Sequence, residues 1–191
     1  MDISGSIDSG EYKLQVQGMA DAVADPSVAD ALVQGQVALA VVQWSGVGAH
    51  HLVIPWQRML TQGDVARFGA QARTLPRAFV ASDTAVGDAI TFSAKQFAAM
   101  ADCARHVIDI SGDGPENAGF TVARARQMAQ AQGVQINAIA IEDPGQSSPI
   151  TSFYLKWAIT KGGFVMTARG LGDYPRAIRE KLLREITKPS S

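Results

Sequence analysis

The sequence predicts an α/β fold, a three-layer α/β/α sandwich on a mostly parallel sheet with one antiparallel edge strand. Three observations predict it. Apolar runs at 37–44 and 134–141 have strand length and are apolar throughout, as strands covered on both faces must be. Stretches such as 8–24 place apolar residues on one helical stripe. Strands and helices then alternate along the chain, the pattern of parallel strands joined by helical crossovers.

In order, helix 8–24 carries its stripe on Tyr12, Val16, Met19, Ala20 and Val23, and Asp25-Pro26-Ser27 interrupts it before a short helical turn at 28–33. Strand 37–44 follows, then Ser45-Gly46-Val47-Gly48 turns the chain into a second strand at 50–56. So short a connection makes a hairpin, which puts the second strand at an edge where Pro55 is tolerated. Helix 61–73 has Thr61 as its N-cap and ends before Leu75-Pro76. A loop at 77–83 leads to helix 84–100, whose core stripe is Val86, Ala89, Ile90, Phe97 and Met100. Strand 105–110 runs into Ser111-Gly112-Asp113-Gly114-Pro115, and helix 117–132 is closed by Gly133. Strand 134–141, helix 150–160, a short strand at 164–168 and helix 174–187 complete the chain.

The 191 residues contain no internal repeat, low-complexity tract or linker, so one domain spanning 1–191 is expected. A formal net charge of -1 offers no electrostatic reason to expect nucleic acid or an anionic membrane surface as partner. The single cysteine, Cys103, excludes an intrachain disulfide. No apolar run approaches the roughly 18 to 20 residues of a membrane span.

The opening stretch, Asp2-Ile3-Ser4-Gly5-Ser6, sets an acid and two hydroxyls at alternate positions in a loop before the first helix. Such a loop aims hard oxygens at one point, and hard oxygens suit Mg²⁺, Mn²⁺ or Ca²⁺. Thr84 opens a later helix and Asp113 follows a strand, so all three pieces are expected on one edge of the sheet, outside the carboxyl ends of its strands. A bland reading competes: Ser4 or Ser6 as cap of the first helix, Asp83 or Thr84 as cap of the later one. The start is also odd, because a buried strand usually runs about 5 to 6 residues and only Met1 to Ile3 precede the loop. The expectation is that the true start lies upstream, where an export signal would make the protein periplasmic or secreted.

The order D-x-S-x-S, then T-x-x-G-D-A, then an Asp-Gly after a strand resembles the von Willebrand factor type A domain and its metal-ion-dependent adhesion site. The phrases S-G-S-I-D-S-G-E-Y and V-I-D-I-S-G-D-G-P-E-N are similar to a bacterial branch of that superfamily whose function is unassigned. The resemblance implies that Ser4, Ser6 and Thr84 touch a divalent cation, with Asp2 and Asp113 direct or through water. It implies no enzyme, but a protein-binding domain whose metal recruits a carboxylate from a protein partner. Where many members have Thr-Asp-Gly, this chain has Ser111-Gly112-Asp113-Gly114, which leaves Ser111 as a substitute contact.

Two alternatives stand beside it. One is metal-independent protein binding. The other is a phosphotransferase or phosphatase with Asp2 as nucleophile, but the second acid expected two residues on is Ser4, which removes the usual general acid. No phosphate-binding G-x-x-x-x-G-K-[ST] occurs, and no G-x-G-x-x-G follows a strand. His50 and His51 are adjacent on a strand and point to opposite faces, so they read as surface or packing residues. Asp109, inside a strand, is expected to need a polar neighbour.

Overall fold

The structure, a computed structural model, describes residues 1–79, 83–142 and 149–187. Helices α1 (Ser9–Ala24) and α2 (Pro26–Gln34) precede the hairpin of β1 (Ala38–Trp44) and β2 (His50–Arg58). Then come α3 (Gln62–Arg73), α4 (Val86–Gln96), β3 (His106–Gly112), α5 (Val122–Ala131), β4 (Val134–Glu142), α6 (Ile150–Trp157), β5 (Val165–Arg169) and α7 (Tyr174–Ile186). The strands form two sheets: β1 pairs antiparallel with β2, and β3, β4 and β5 pair in parallel in that order. Helices α1, α3 and α7 pack together on one side, and α4, α5 and α6 on the other. The three-layer α/β architecture with an antiparallel edge strand is therefore the observed one.

The first strand is present only as a stub. Asp2 makes a lone parallel bridge to Trp44, flanked by Ile3 N–H to Trp44 O at 2.9 Å and Trp44 N–H to Met1 O at 3.1 Å. On its other side the Asp2 N–H donates to Ser111 O at 3.0 Å. These few bonds join the two sheets at one end. Ile3 is fully buried, in a cluster with Val16, Ala20 and Val23 of α1 and Val65 and Phe68 of α3.

Two helices begin later than their periodicity predicts, and loop 77–83 falls partly outside the described residues. Helix α4 starts at Val86 and its last turn tightens into a 3₁₀ turn at Phe97–Met100. Helix α5 starts at Val122 rather than 117, because Gly119 and Phe120 both adopt positive φ (79° and 50°), which no helical turn can contain. Asp109, expected to need a polar neighbour, pairs with Lys181 of α7, which is 1% exposed and also bonds Glu185 at 3.0 Å. His50 stacks on Phe92, with ring centroids 4.0 Å apart, and lies 3.4 Å from Asp88, while His51 is exposed.

Candidate metal centre

The N-terminal loop is shaped by its own acid. Asp2 is 0% exposed, and its Oδ1 accepts the Ser4 N–H at 2.7 Å, a turn that short acidic side chains favour. Ser4 Oγ lies 3.2 Å from Ser6 Oγ, and Ser6 Oγ donates to Asp113 Oδ1 at 2.9 Å. Hydrogen bonds thus run from Asp2 through both serines to the loop after β3. Arg77 closes the other side, its Nη2 donating to the carbonyls of Ile3 at 2.7 Å and Ser4 at 2.9 Å.

Thr84 is held by backbone and loop contacts. Asn117 Oδ1 accepts the Thr84 N–H at 2.8 Å, while the N–H groups of Asn117 and Ala118 return bonds to Thr84 O. Ser45, at the end of β1, donates its hydroxyl to Asp83 O at 2.7 Å and accepts Ala85 N–H on its carbonyl at 2.8 Å. Thr84 Oγ1 lies 4.0 Å from where a side-chain carbon on Gly114 would stand, beside Asp113. One carboxylate fixes this region: Glu116 accepts Gly87 N–H of α4 at 2.8 Å and Val122 N–H of α5 at 3.1 Å.

The capping alternative fails at each hydroxyl. Helix α1 is capped by Asp8, which takes the N–H groups of Gly10 and Glu11 in a reciprocal capping box with the Glu11 side chain. The N-cap of helix α4 is Ala85, which gives no side-chain cap bond, and Glu116 accepts the Gly87 N–H from a distant loop. Helices α1 and α4 therefore start at Ser9 and Val86, later than Ser6 and Thr84. Thr61 does cap α3, again in a capping box, with Asp64.

Burial dominates the electrostatics. It pushes the Asp2 carboxyl up to about 7, against the lowering effect of the Ser4 N–H bond, and the neighbouring Asp113 charge adds to the rise. Its second oxygen, Oδ2, is buried with no hydrogen-bond partner among the described residues. The Tyr154 hydroxyl of α6 is equally buried and equally unpartnered. Burial raises Tyr154 well above its ordinary value, and the Asp2 and Asp113 charges raise it further. Both atoms crowd one spot: a side-chain carbon on Gly112 would stand 2.5 Å from the Tyr154 hydroxyl and 3.0 Å from Asp2 Oδ2.

Asp2, Ser4, Ser6 and Asp113 are thus linked by direct bonds, and Thr84 lies against the Asp113 loop. Ser111 lies in β3, its carbonyl accepting the Asp2 N–H and its hydroxyl bonding the Tyr174 side chain. Arg77, Glu116 and Tyr154 are missing from the motif-based reading. Nothing in their spacing marks them; only a buried phenol's need for a polar partner could have raised the question for Tyr154. At the rim, Phe120 is 79% exposed, and Val47 of the hairpin packs near Gly119.

These donors fit a hard cation. Among the described residues no three His, Cys, Asp or Glu side chains gather as a metal site, which leaves two carboxylates with three hydroxyls. An unpartnered, fully buried carboxylate oxygen is costly, and a cation or its bound water is the partner that would relieve it.

The fold is that of von Willebrand factor type A domains. The chain belongs to the family described as a protein of unknown function (DUF1194), whose model matches residues 1–190. Proximal thread matrix protein 1 from the mussel byssus, solved with a zinc-occupied metal-site motif, is similar at TM-score 0.69 and 20% identity, covering 96% of this chain and 45% of that one. The pilus adhesin SpaC from Lactobacillus rhamnosus GG matches at TM-score 0.70 and 12% identity, over 97% of this chain and 29% of that one. A von Willebrand factor type A protein from Catenulispora acidiphila matches at 0.67 and 20%, over 98% and 42%. The chain thus spans less than half the length of these structures, and at such identities the likeness shows the fold. No curated protein matches it.

Proposed function

We propose that this protein is a divalent-cation-dependent binding domain, and that its cation recruits an acidic group from a protein partner. The observation that carries the reading is the buried Asp2 Oδ2 without a partner, at the end of a hydrogen-bonded run through Ser4, Ser6 and Asp113. Hydroxyls left free of helix capping support it. So do solved structures of the same fold, which include a pilus adhesin and a byssus matrix protein with zinc in its metal-site motif.

The roles follow from charge. Asp2 and Asp113 would supply negative charge, directly or through water, and Ser4, Ser6 and Thr84 neutral oxygens. Where the two carboxylates act through water, the three neutral donors in direct contact leave the ion's charge incompletely balanced, and that favours an incoming carboxylate. Mg²⁺ retains waters readily, leaving positions that a partner's carboxylate can take. A nucleophilic role for Asp2 is disfavoured by its burial, since a substrate must reach the attacking oxygen.

Calorimetric titration with Mg²⁺ and Mn²⁺ tests the reading, with Asp2→Asn and Thr84→Ala beside the native chain. One binding site in the native protein, weakened at least about tenfold in each variant, is the expected result; that factor corresponds to about 1.4 kcal/mol. Equal binding in all three proteins, or none in the native one, would leave metal-independent protein binding as the better reading.

A further inference from the structure

The two most exposed large apolar side chains among the described residues sit on the two loops that hold Thr84 and Ala85. Phe120 is 79% exposed and Val47 is 64% exposed. Val47 stands in the turn between β1 and β2, which is closed by Ser45 N–H to Ala49 O at 2.9 Å and tied to Ala85 N–H through Ser45 O at 2.8 Å. Phe120 ends a loop whose Asn117 and Ala118 N–H groups both bond Thr84 O. The two loops touch: a side-chain carbon on Gly119 would stand 3.1 Å from Val47 Cγ2 and 4.0 Å from Ala85 Cβ. Phe120 also holds φ at 50°, which a bulky residue adopts only under strain. Packing does not account for that strain, because most of the ring is in water. Glycine would make the same turn freely, and strained residues of this kind gather where a ligand is gripped.

On the cation reading of this site, we propose that Val47 and Phe120 form an apolar shelf beside the centre. The partner is then a polypeptide that carries a leucine-sized side chain next to the carboxylate it offers. Charge complementarity sets the first half of that chemistry, since a cation held largely by hydroxyls attracts an acid. The shelf sets the second half. A carboxylate alone leaves both apolar groups in water, and covering them is favourable. Consecutive residues stand about 3.8 Å apart, so the neighbour of the ligating acid is delivered to the shelf with it. An aromatic group at the centre of a contact also carries a large share of binding energy. The cation meets every aspartate or glutamate alike, whereas the shelf distinguishes one acidic segment from another by what lies beside the acid.

Three peptides test the shelf, each titrated into the protein in Mg²⁺ and followed by amide chemical shifts: acetyl-Gly-Leu-Asp-Leu-Gly-amide, its Ala-Asp-Ala counterpart and its Leu-Asn-Leu counterpart. The Leu-Asp-Leu peptide is expected to bind at least about fivefold more tightly than Ala-Asp-Ala, the order that partial burial of a leucine supplies. The Leu-Asn-Leu peptide is expected not to bind. Phe120→Gly is expected to erase the preference for leucine with Tm equal or higher, because glycine adopts this φ freely. Val47→Ser is expected to weaken the preference. A preference retained in Phe120→Gly overturns the shelf, as does a lowered Tm, which would make the ring a packing group. Equal binding of the aspartate and asparagine peptides overturns it too. Equal affinities for the leucine and alanine peptides in a native chain that binds Mg²⁺ by calorimetry overturn the shelf and leave the cation reading standing. No Mg²⁺ binding by the native chain overturns both. A dimer in sedimentation that Phe120→Gly abolishes would overturn the proposed partner and make a second copy the occupant.

Discussion

The two ends of β1 and β3 have different fates. At the site end the stub lies between them, and Ile3, Trp44, Ile110 and Ser111 are all buried. At the far end Leu39, Ala40 and Val107 are half-buried and Asp109 is exposed. Strand β4, with β3 and β5 on its two sides, shows what a complete neighbourhood does: seven of its nine residues are buried. Strands β1 and β4 are both mainly apolar, with six of seven and six of nine residues hydrophobic. What separates them is the presence of a partner on each edge, so burial here reports strand order more than composition.

Truncation on either side of that divide is the strongest way to break the comparison. Ile3→Ala removes a fully buried side chain where the sheets are joined and is expected to cost about 2–5 kcal/mol. Val107→Ala, at the far end of β3, is expected to cost about 1 kcal/mol or less, as at positions already partly in water. Urea unfolding midpoints of the two variants check this, and equal losses would mean that the far end is packed as firmly as the near one.

A smaller effect sharpens the picture at the site end. Gly112→Ala would press a methyl group against the Tyr154 hydroxyl and Asp2 Oδ2, and overpacking of this kind costs about 1–3 kcal/mol. Adding Tyr154→Phe, which removes the atom standing 2.5 Å away, is expected to recover part of the loss. A double variant no more stable than Gly112→Ala alone would show that Asp2, not Tyr154, sets the limit.

The smallest effect is a pH dependence at the far end. Burial first, and then the Asp109 charge, pushes the Glu185 carboxyl up to about 7 from its ordinary 4.5, while Lys181 pulls it down. A folded value above the unfolded one means that the native state holds the extra proton between those limits. This contribution to stability is therefore fully present below about pH 4.5 and is lost as pH rises through about 7. Tm of the native chain should fall from pH 5 to pH 8 relative to that of Glu185→Gln, measured in parallel by circular dichroism.

Much of this was legible from the residues alone. Element order, the hairpin and its Pro55 and the Thr61 cap follow from periodicity and spacing, while the set of five oxygen-bearing residues comes from the resemblance to the von Willebrand factor type A domain. The late starts of α4 and α5 were not legible, because they depend on the positive φ of Phe120 and on Glu116, whose two bonds exist only after the chain has folded. Asp8 rather than Ser4 or Ser6 caps α1, a choice between neighbouring polar residues that propensity alone cannot make. Tyr154 and Arg77 reach the site from α6 and from the loop after α3, at sequence separations where no local pattern exists.

The glycine and the acid of the T-x-x-G-D-A phrase make contacts of the fold. A side-chain carbon at Gly87 would stand 2.4 Å from the Thr121 carbonyl carbon and 2.5 Å from the Val122 nitrogen, so glycine there permits the crossing of α4 and α5. Asp88 accepts the Gly48 N–H at 2.7 Å and steadies the hairpin turn. Of that phrase, Thr84 is the residue proposed as a donor to the cation. Selection for folding alone would therefore preserve the glycine and the acid in a descendant that had abandoned ions altogether. Among related chains, the hydroxyls at 4, 6 and 84 are the positions whose loss would record that change, and the rest of the phrase would outlive it.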